Sequence, residues 1–169
     1  CEWWYDGDSK CVDAAKCLNQ LNQTALDAIR STGGNNKKRF VMCPALAASE
    51  NAASKATFKM PDDIEGQTGR LILSVHAYTP YSFAMESPGA RSFTQAHKDE
   101  LSGLFARLKA KFIDKGYPVV IGEYGATNKD NLEDRLAWFN YYVLNAKNAG
   151  IPCILWDNGV WQTRTTQSG

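Results

Sequence analysis

Glu123 stands in Val-Val-Ile-Gly-Glu-Tyr-Gly (119–125), a carboxylate directly after an apolar run. A charge at the mouth of a buried strand is costly unless it is paired or used. Alone, such a Glu could equally cap a helix or pair with a base on its loop. Its surroundings favour chemistry. Gly122 and Gly125 remove side chains beside it, so that a substrate or another strand can approach closely. His76 and Tyr78 leave another apolar run, two residues apart, which places both on one face of a strand. A phenol that donates to a carboxylate holds it ionised, which suits a nucleophile. Trp156 ends a third apolar run, and an indole offers a flat apolar surface to the C–H face of a sugar ring. Asp157 and Asn158 follow on the same loop. Trp3, Trp4, Tyr5, Tyr81, Phe83 and Trp161 are further loop aromatics. Several of these line a glycan cleft on this reading, Tyr81 foremost, while the others are loop packing.

The elements that must position these residues alternate. Residues 12–31 carry Val12, Ala15, Leu18, Leu21, Ala25, Leu26 and Ile29 at helical spacing, stopped by Gly33-Gly34. Strands are expected at 39–44, 71–76, 119–123 and 152–156. Helices are expected at 94–115, with Leu101, Leu104, Phe105, Leu108 and Phe112 inward, and at 132–148. Between 47 and 68 the residues are small and polar, with one helical turn near 49–54. Strands that are apolar throughout, separated by helices, predict a parallel sheet covered by helices. Two windings fit: an open doubly wound sheet or part of a (β/α)8 barrel. Polar and aromatic clusters at several strand ends favour the barrel. No glycine-rich phosphate loop follows any strand, which argues against a nucleotide-binding domain.

Composition sets the outer bounds. The chain has 169 residues, 44% hydrophobic, with 19 basic and 18 acidic side chains, as expected of one globular domain. A net charge of +1 gives no reason to expect nucleic acid or an acidic membrane surface as a partner. No apolar run reaches the roughly 20 residues of a membrane span. No signal peptide is visible, and Cys1 in place of Met reads as a processed or excised start. Of five cysteines, Cys43 and Cys153 read as small buried hydrophobes, and one disulfide within 1–17 is open if the protein is exported. No metal or other cofactor is expected. His97 shares its helix with Lys98 and Asp99 and reads as a solvated face, and Asp6-Gly7-Asp8 reads as a turn rather than a calcium site.

VHAYTPYSFA (75–84), PVVIGEYGATNKDN (118–131) and CILWDNG (153–159) resemble three motifs of glycoside hydrolase family 5, nearest its rumen-type endoglucanase branch. GGNNKKRFVMCPALAAS (33–49) resembles the segment around that family's fifth barrel strand. The resemblance implies half of a (β/α)8 barrel, strands five to eight, in one partial domain over 1–169. It implies a secreted endo-β-1,4-glucanase with a retaining mechanism and a β-glucan polysaccharide or oligosaccharide as substrate. Glu123 matches the nucleophile, and His76 and Tyr78 match the pair that attends it. Trp156 matches the sugar platform, with Asp157 and Asn158 beside it as candidates for substrate hydroxyls.

One part of the pattern is missing. The family's Asn-Glu-Pro, whose glutamate is the general acid/base, is absent, and EWWYDGD (2–8) resembles what normally follows it. Four strands leave two open edges and an uncovered face. Pairing of two copies would close eight strands, with the partner's Glu123, or else Glu86 or Asp157, standing in as the acid. The other expectation is a catalytically impaired half-barrel that binds carbohydrate without cutting it.

Overall fold

The computed structural model describes residues 8–67 and 69–157. Its sheet has four parallel strands, β1 (Val41–Ser49), β2 (Leu71–His76), β3 (Val119–Tyr124) and β4 (Cys153–Leu155), in the order β1-β2-β3-β4. Among the described residues five α-helices intervene or precede: α1 (Ser9–Ser31), α2 (Glu50–Ser54), α3 (Tyr81–Ala84), α4 (Gln95–Lys111) and α5 (Leu132–Ala149).

Strand order matches chain order with no reversal, so the sheet lacks the switch point of a doubly wound fold. Burial agrees. Along β2, Leu71, Leu73 and Val75 are buried, whereas Ile72, Ser74 and His76 on the other face are only partly covered. Leu101, Leu104 and Leu108 of α4 and Trp138, Tyr142 and Ala146 of α5 fill the covered side. On the far side, Met42 and Ile154 are each more than half exposed. In a closed barrel that inner face is filled by layers of side chains. The architecture is α/β, four consecutive strands of a barrel whose inner face the described residues leave partly exposed.

Local chemistry explains most boundaries. Asp8 caps α1 by accepting from the Lys10 amide at 2.8 Å, so the helix begins a turn before the apolar periodicity. Gly116, in the left-handed region at φ 86°, ends the turn after α4. The helix expected over 94–115 therefore closes at Lys111, and a 3-10 turn follows at Ile113–Lys115. β1 runs five residues past the expected end, irregularly. Ala47 and Ala48 adopt positive φ, and Ser49 then caps α2 by accepting from the Asn51 and Ala52 amides.

Two side-chain expectations are corrected. His97 does not sit on a solvated face: its Nδ1 accepts from the Thr94 amide, and its ring stacks on Phe93. Phe83 is fully buried among Phe93, His97 and Trp138. It belongs to α3, not a loop, and packs into the core rather than lining a cleft. Cys43 is buried and Cys153 partly so, as expected; burial pushes the Cys43 thiol up to about 11. Cys11 is disulfide-bonded, and Cys17 is free and exposed.

Glu50, the first residue of α2, carries a testable pH dependence. Its Oε1 accepts from the Thr79 hydroxyl at 3.4 Å, and Arg107 approaches Oε2 at 3.8 Å. Burial pushes the carboxyl above its ordinary 4.5, with Arg107 opposing. A carboxyl raised on folding contributes stability that is full below 4.5 and is lost as pH rises through its folded value. Glu50→Gln is therefore expected to gain on the native chain as pH rises from 4.5 through that folded value. Urea unfolding across pH 4–7 checks this, and a difference flat with pH would contradict it.

Candidate active site

Three predicted residues converge. The Tyr78 hydroxyl donates to Glu123 Oε2 at 2.8 Å, and His76 Nδ1 lies 3.2 Å from the same oxygen. Among the described residues nothing hydrogen-bonds Oε1. Oε2 is thus held from two sides. Glu123's side chain is 25% exposed, enough to meet a ligand.

A bulge produces this aim. Strict alternation would send Glu123 toward the helices with Val119 and Ile121. Instead Val75 pairs with Ile121 and His76 with Glu123, so β3 carries one extra residue, Gly122. Burial records the slip: Gly122 and Glu123 are both partly exposed, and Tyr124 is buried against the helices. A bulge beside a site re-aims a side chain, and here it turns Glu123 onto the face of His76 and Tyr78. Bareness at the glycines is not forced by protein atoms. A Cβ at Gly122 would meet His76 and Ser74 at 3.6–3.7 Å, and one at Gly125 would meet Tyr78 at 3.7 Å, both ordinary contacts.

Burial, and then the bond to Glu123, push the Tyr78 phenol far above its ordinary range. It remains a donor at any working pH. Beside it opens a cavity of about 450 Å³ whose lining includes Tyr78, Gly125, Arg135, Phe139, Trp156 and Asp157. Trp156 is held where β4 ends by its backbone N–H, which donates to the Tyr124 carbonyl at 2.9 Å, with the residue more than half exposed. Asp157 is exposed on the same rim, as is Glu86 on the loop after α3. Tyr81, 64% exposed on α3, does not line this cavity. Asn158 lies outside the described residues, as do Trp3, Trp4, Tyr5, Asp6, Gly7 and Trp161.

Sequence reasoning passed over Arg135 and Phe139 in the lining. Both sit on α5, where helical spacing alone gives no sign that a face meets a strand-end loop. Another hollow, about 330 Å³, lies among Pro61, Asp63, Gly116 and Tyr117 at the amino ends of the strands, away from Glu123. Among the described residues no three His, Cys, Asp or Glu are grouped to hold a metal. No described helix is long and apolar enough to cross a membrane.

Residues 2–161 match the family model for cellulase, glycosyl hydrolase family 5. Endoglucanase A of Clostridium longisporum is 41% identical over 95% of this chain, and endoglucanase B of Neocallimastix patriciarum is 36% identical over 94%. Among solved structures, the catalytic domain of CelCCA superposes with a TM-score of 0.88 at 40% identity over 96% of this chain. A broad-specificity endoglucanase from Ruminococcus champanellensis, solved with cellotriose, gives 0.81 at 36% over 94%. The chain spans 30–32% of the length of those two curated relatives and 44–47% of the two solved chains. The 44–47% share of the solved chains is near what half of a (β/α)8 barrel would occupy. With the family model matched over 2–161, relatives 36–41% identical over nearly the whole chain and the fold shared, the chain belongs to the cellulase family, glycosyl hydrolase family 5.

Proposed function

We propose that this chain carries the nucleophile half of a retaining endo-β-1,4-glucanase. The observation that carries the reading is the pairing of Tyr78 and His76 on one oxygen of Glu123, beside a cleft rimmed by Trp156. In the proposed reaction Glu123 attacks the anomeric carbon and forms a glycosyl-enzyme, which water then hydrolyses. Tyr78 and His76 hold the carboxylate ionised and oriented. Trp156 stacks on the sugar, and Asp157, Asn158 and Tyr81 contact substrate farther out.

The leaving oxygen requires an acid about 5–5.5 Å from the nucleophile. We assign that group to a second half-barrel, which also covers the inner face bearing Met42 and Ile154. For this chain on its own, spanning one domain over 1–169, we propose a second copy as that half. Light scattering at micromolar concentration is expected to give twice the chain mass, and a folded monomer would contradict it. Relatives that act as endoglucanases on polymeric glucan make secretion the matching location.

One observation favours a second reading, a half-barrel that binds glucan without cutting it. The sequence carries no Asn-Glu-Pro, the motif whose glutamate is the family's general acid/base. Reducing-sugar release from carboxymethyl-cellulose separates the two: release supports the hydrolase, and binding without release supports the other. Under either reading Trp156→Ala is expected to weaken cello-oligosaccharide binding about tenfold, or ~1.4 kcal/mol, by calorimetry. Unchanged affinity would remove Trp156 from the site.

A further inference from the structure

We propose that Tyr142 and Trp138, buried on α5, are positioning residues that set Tyr78 against Glu123. Tyr78 sits just beyond β2, where the sheet stops supplying partners. The Ala77 amide still donates to the Glu123 carbonyl at 2.9 Å. The carbonyls on either side of Tyr78 leave the sheet, and side chains take them. The Tyr142 hydroxyl donates to Ala77 O at 2.9 Å, and Trp138 Nε1 donates to Thr79 O at 3.1 Å. Both donors belong to fully buried side chains.

The same two rings brace the other side of the pair. Tyr142 stacks on Tyr124, the residue after Glu123, with centroids 4.6 Å apart, and Trp138 lies 6.1 Å from it. Four residues apart on one helix, Trp138 and Tyr142 present a single surface to both strand ends. That surface fixes where each side chain departs. A phenol is a long lever: tilting its backbone by about 10° carries the hydroxyl roughly 1 Å, which is the scale of misplacement that costs activity. Ring packing alone would be served by phenylalanine. What Tyr142 adds is a bond to the peptide that carries Tyr78, and burial, pushing its phenol far above the ordinary range, keeps it a donor.

The catalytic consequence rests on Glu123 being the nucleophile; the positioning itself does not. The test labels the tyrosine Cζ with carbon-13 in the whole chain and follows the Tyr78 resonance, assigned by Tyr78→Phe. Glu123→Gln marks where that resonance goes when the phenol loses its charged partner. Tyr142→Phe is expected to move it in the same direction, and the Tyr142→Phe, Glu123→Gln double variant no farther than Glu123→Gln alone. Trp138→Phe, which removes the other donor, is expected to do likewise. Leu26→Ala, a buried truncation on α1 outside the core cluster that holds Trp138 and Tyr142, is expected to lower stability and leave the resonance in place.

Folded Tyr142→Phe and Trp138→Phe chains with an unmoved Tyr78 resonance would overturn the proposal. So would the failure of both to fold, which would make the pair core residues only. Full hydrolysis by Glu123→Gln would remove the nucleophile reading and leave the positioning result standing.

Discussion

Glu123→Gln is expected to lower β-glucan hydrolysis by on the order of 10³-fold or more while the fold persists. Glutamine keeps the shape, and its amide oxygen can still accept from Tyr78, so the three-residue arrangement survives. What goes is the anionic oxygen that attacks carbon. Glu123 makes its bonds at a partly exposed strand end, where such a change moves stability by about 0.5 kcal/mol at most. Initial rates of reducing-sugar release, read beside thermal unfolding, check both halves. Loss of rate and stability together would point to a structural carboxylate.

Asp63→Asn is expected to have the largest effect on stability, about 3 kcal/mol. Arg30, near the end of α1, has a side chain only 2% exposed. Its Nε and Nη2 donate to the two Asp63 oxygens at 2.7 and 2.8 Å, and its Nη1 donates to the Asn36 and Arg39 carbonyls. One guanidinium thus joins α1, the turn at Gly34–Lys38, the approach to β1 and the loop before β2. Asparagine cannot return a paired charge, and breaking a buried pair from one side costs about 3–5 kcal/mol. The lower end applies, because Asp63 borders a hollow that water can enter. Arg30 also holds the Asp63 carboxyl below its ordinary 3.8. A carboxyl lowered on folding contributes stability that is full above 3.8 and is lost as pH falls through its folded value. Urea unfolding should show the deficit of Asp63→Asn at neutral pH and its closure in acid. A deficit independent of pH would mean that packing, not the ion pair, carries the effect.

The parts legible in the sequence were those fixed by local chemistry. β2 occupies the expected 71–76, because an apolar run between polar residues has one way to sit in a covered sheet. His76 and Tyr78 share a face through period-two spacing, and the motifs carried the family. Less legible were features set by partners distant in the chain. The bulge at Gly122 looks from sequence like an ordinary glycine, yet without it Glu123 would face the helices. Ala47 and Ala48 at positive φ give no compositional hint. Trp138 and Tyr142 were passed over within the helix expected at 132–148, because the carbonyls they hold lie 59 and 65 positions away. His97 read as solvated because Lys98 and Asp99 flank it, whereas its ring turns back to cap its own helix.

Covalent trapping tests the assignment of Glu123 most directly. A 2,4-dinitrophenyl 2-deoxy-2-fluoro-β-cellobioside carries a leaving group that departs without protonation, so a site holding only the nucleophile can react with it. The expected result is one added glycosyl mass on the intact chain, mapped after proteolysis to Glu123. A label on another carboxylate, or none on the folded chain, would contradict the account.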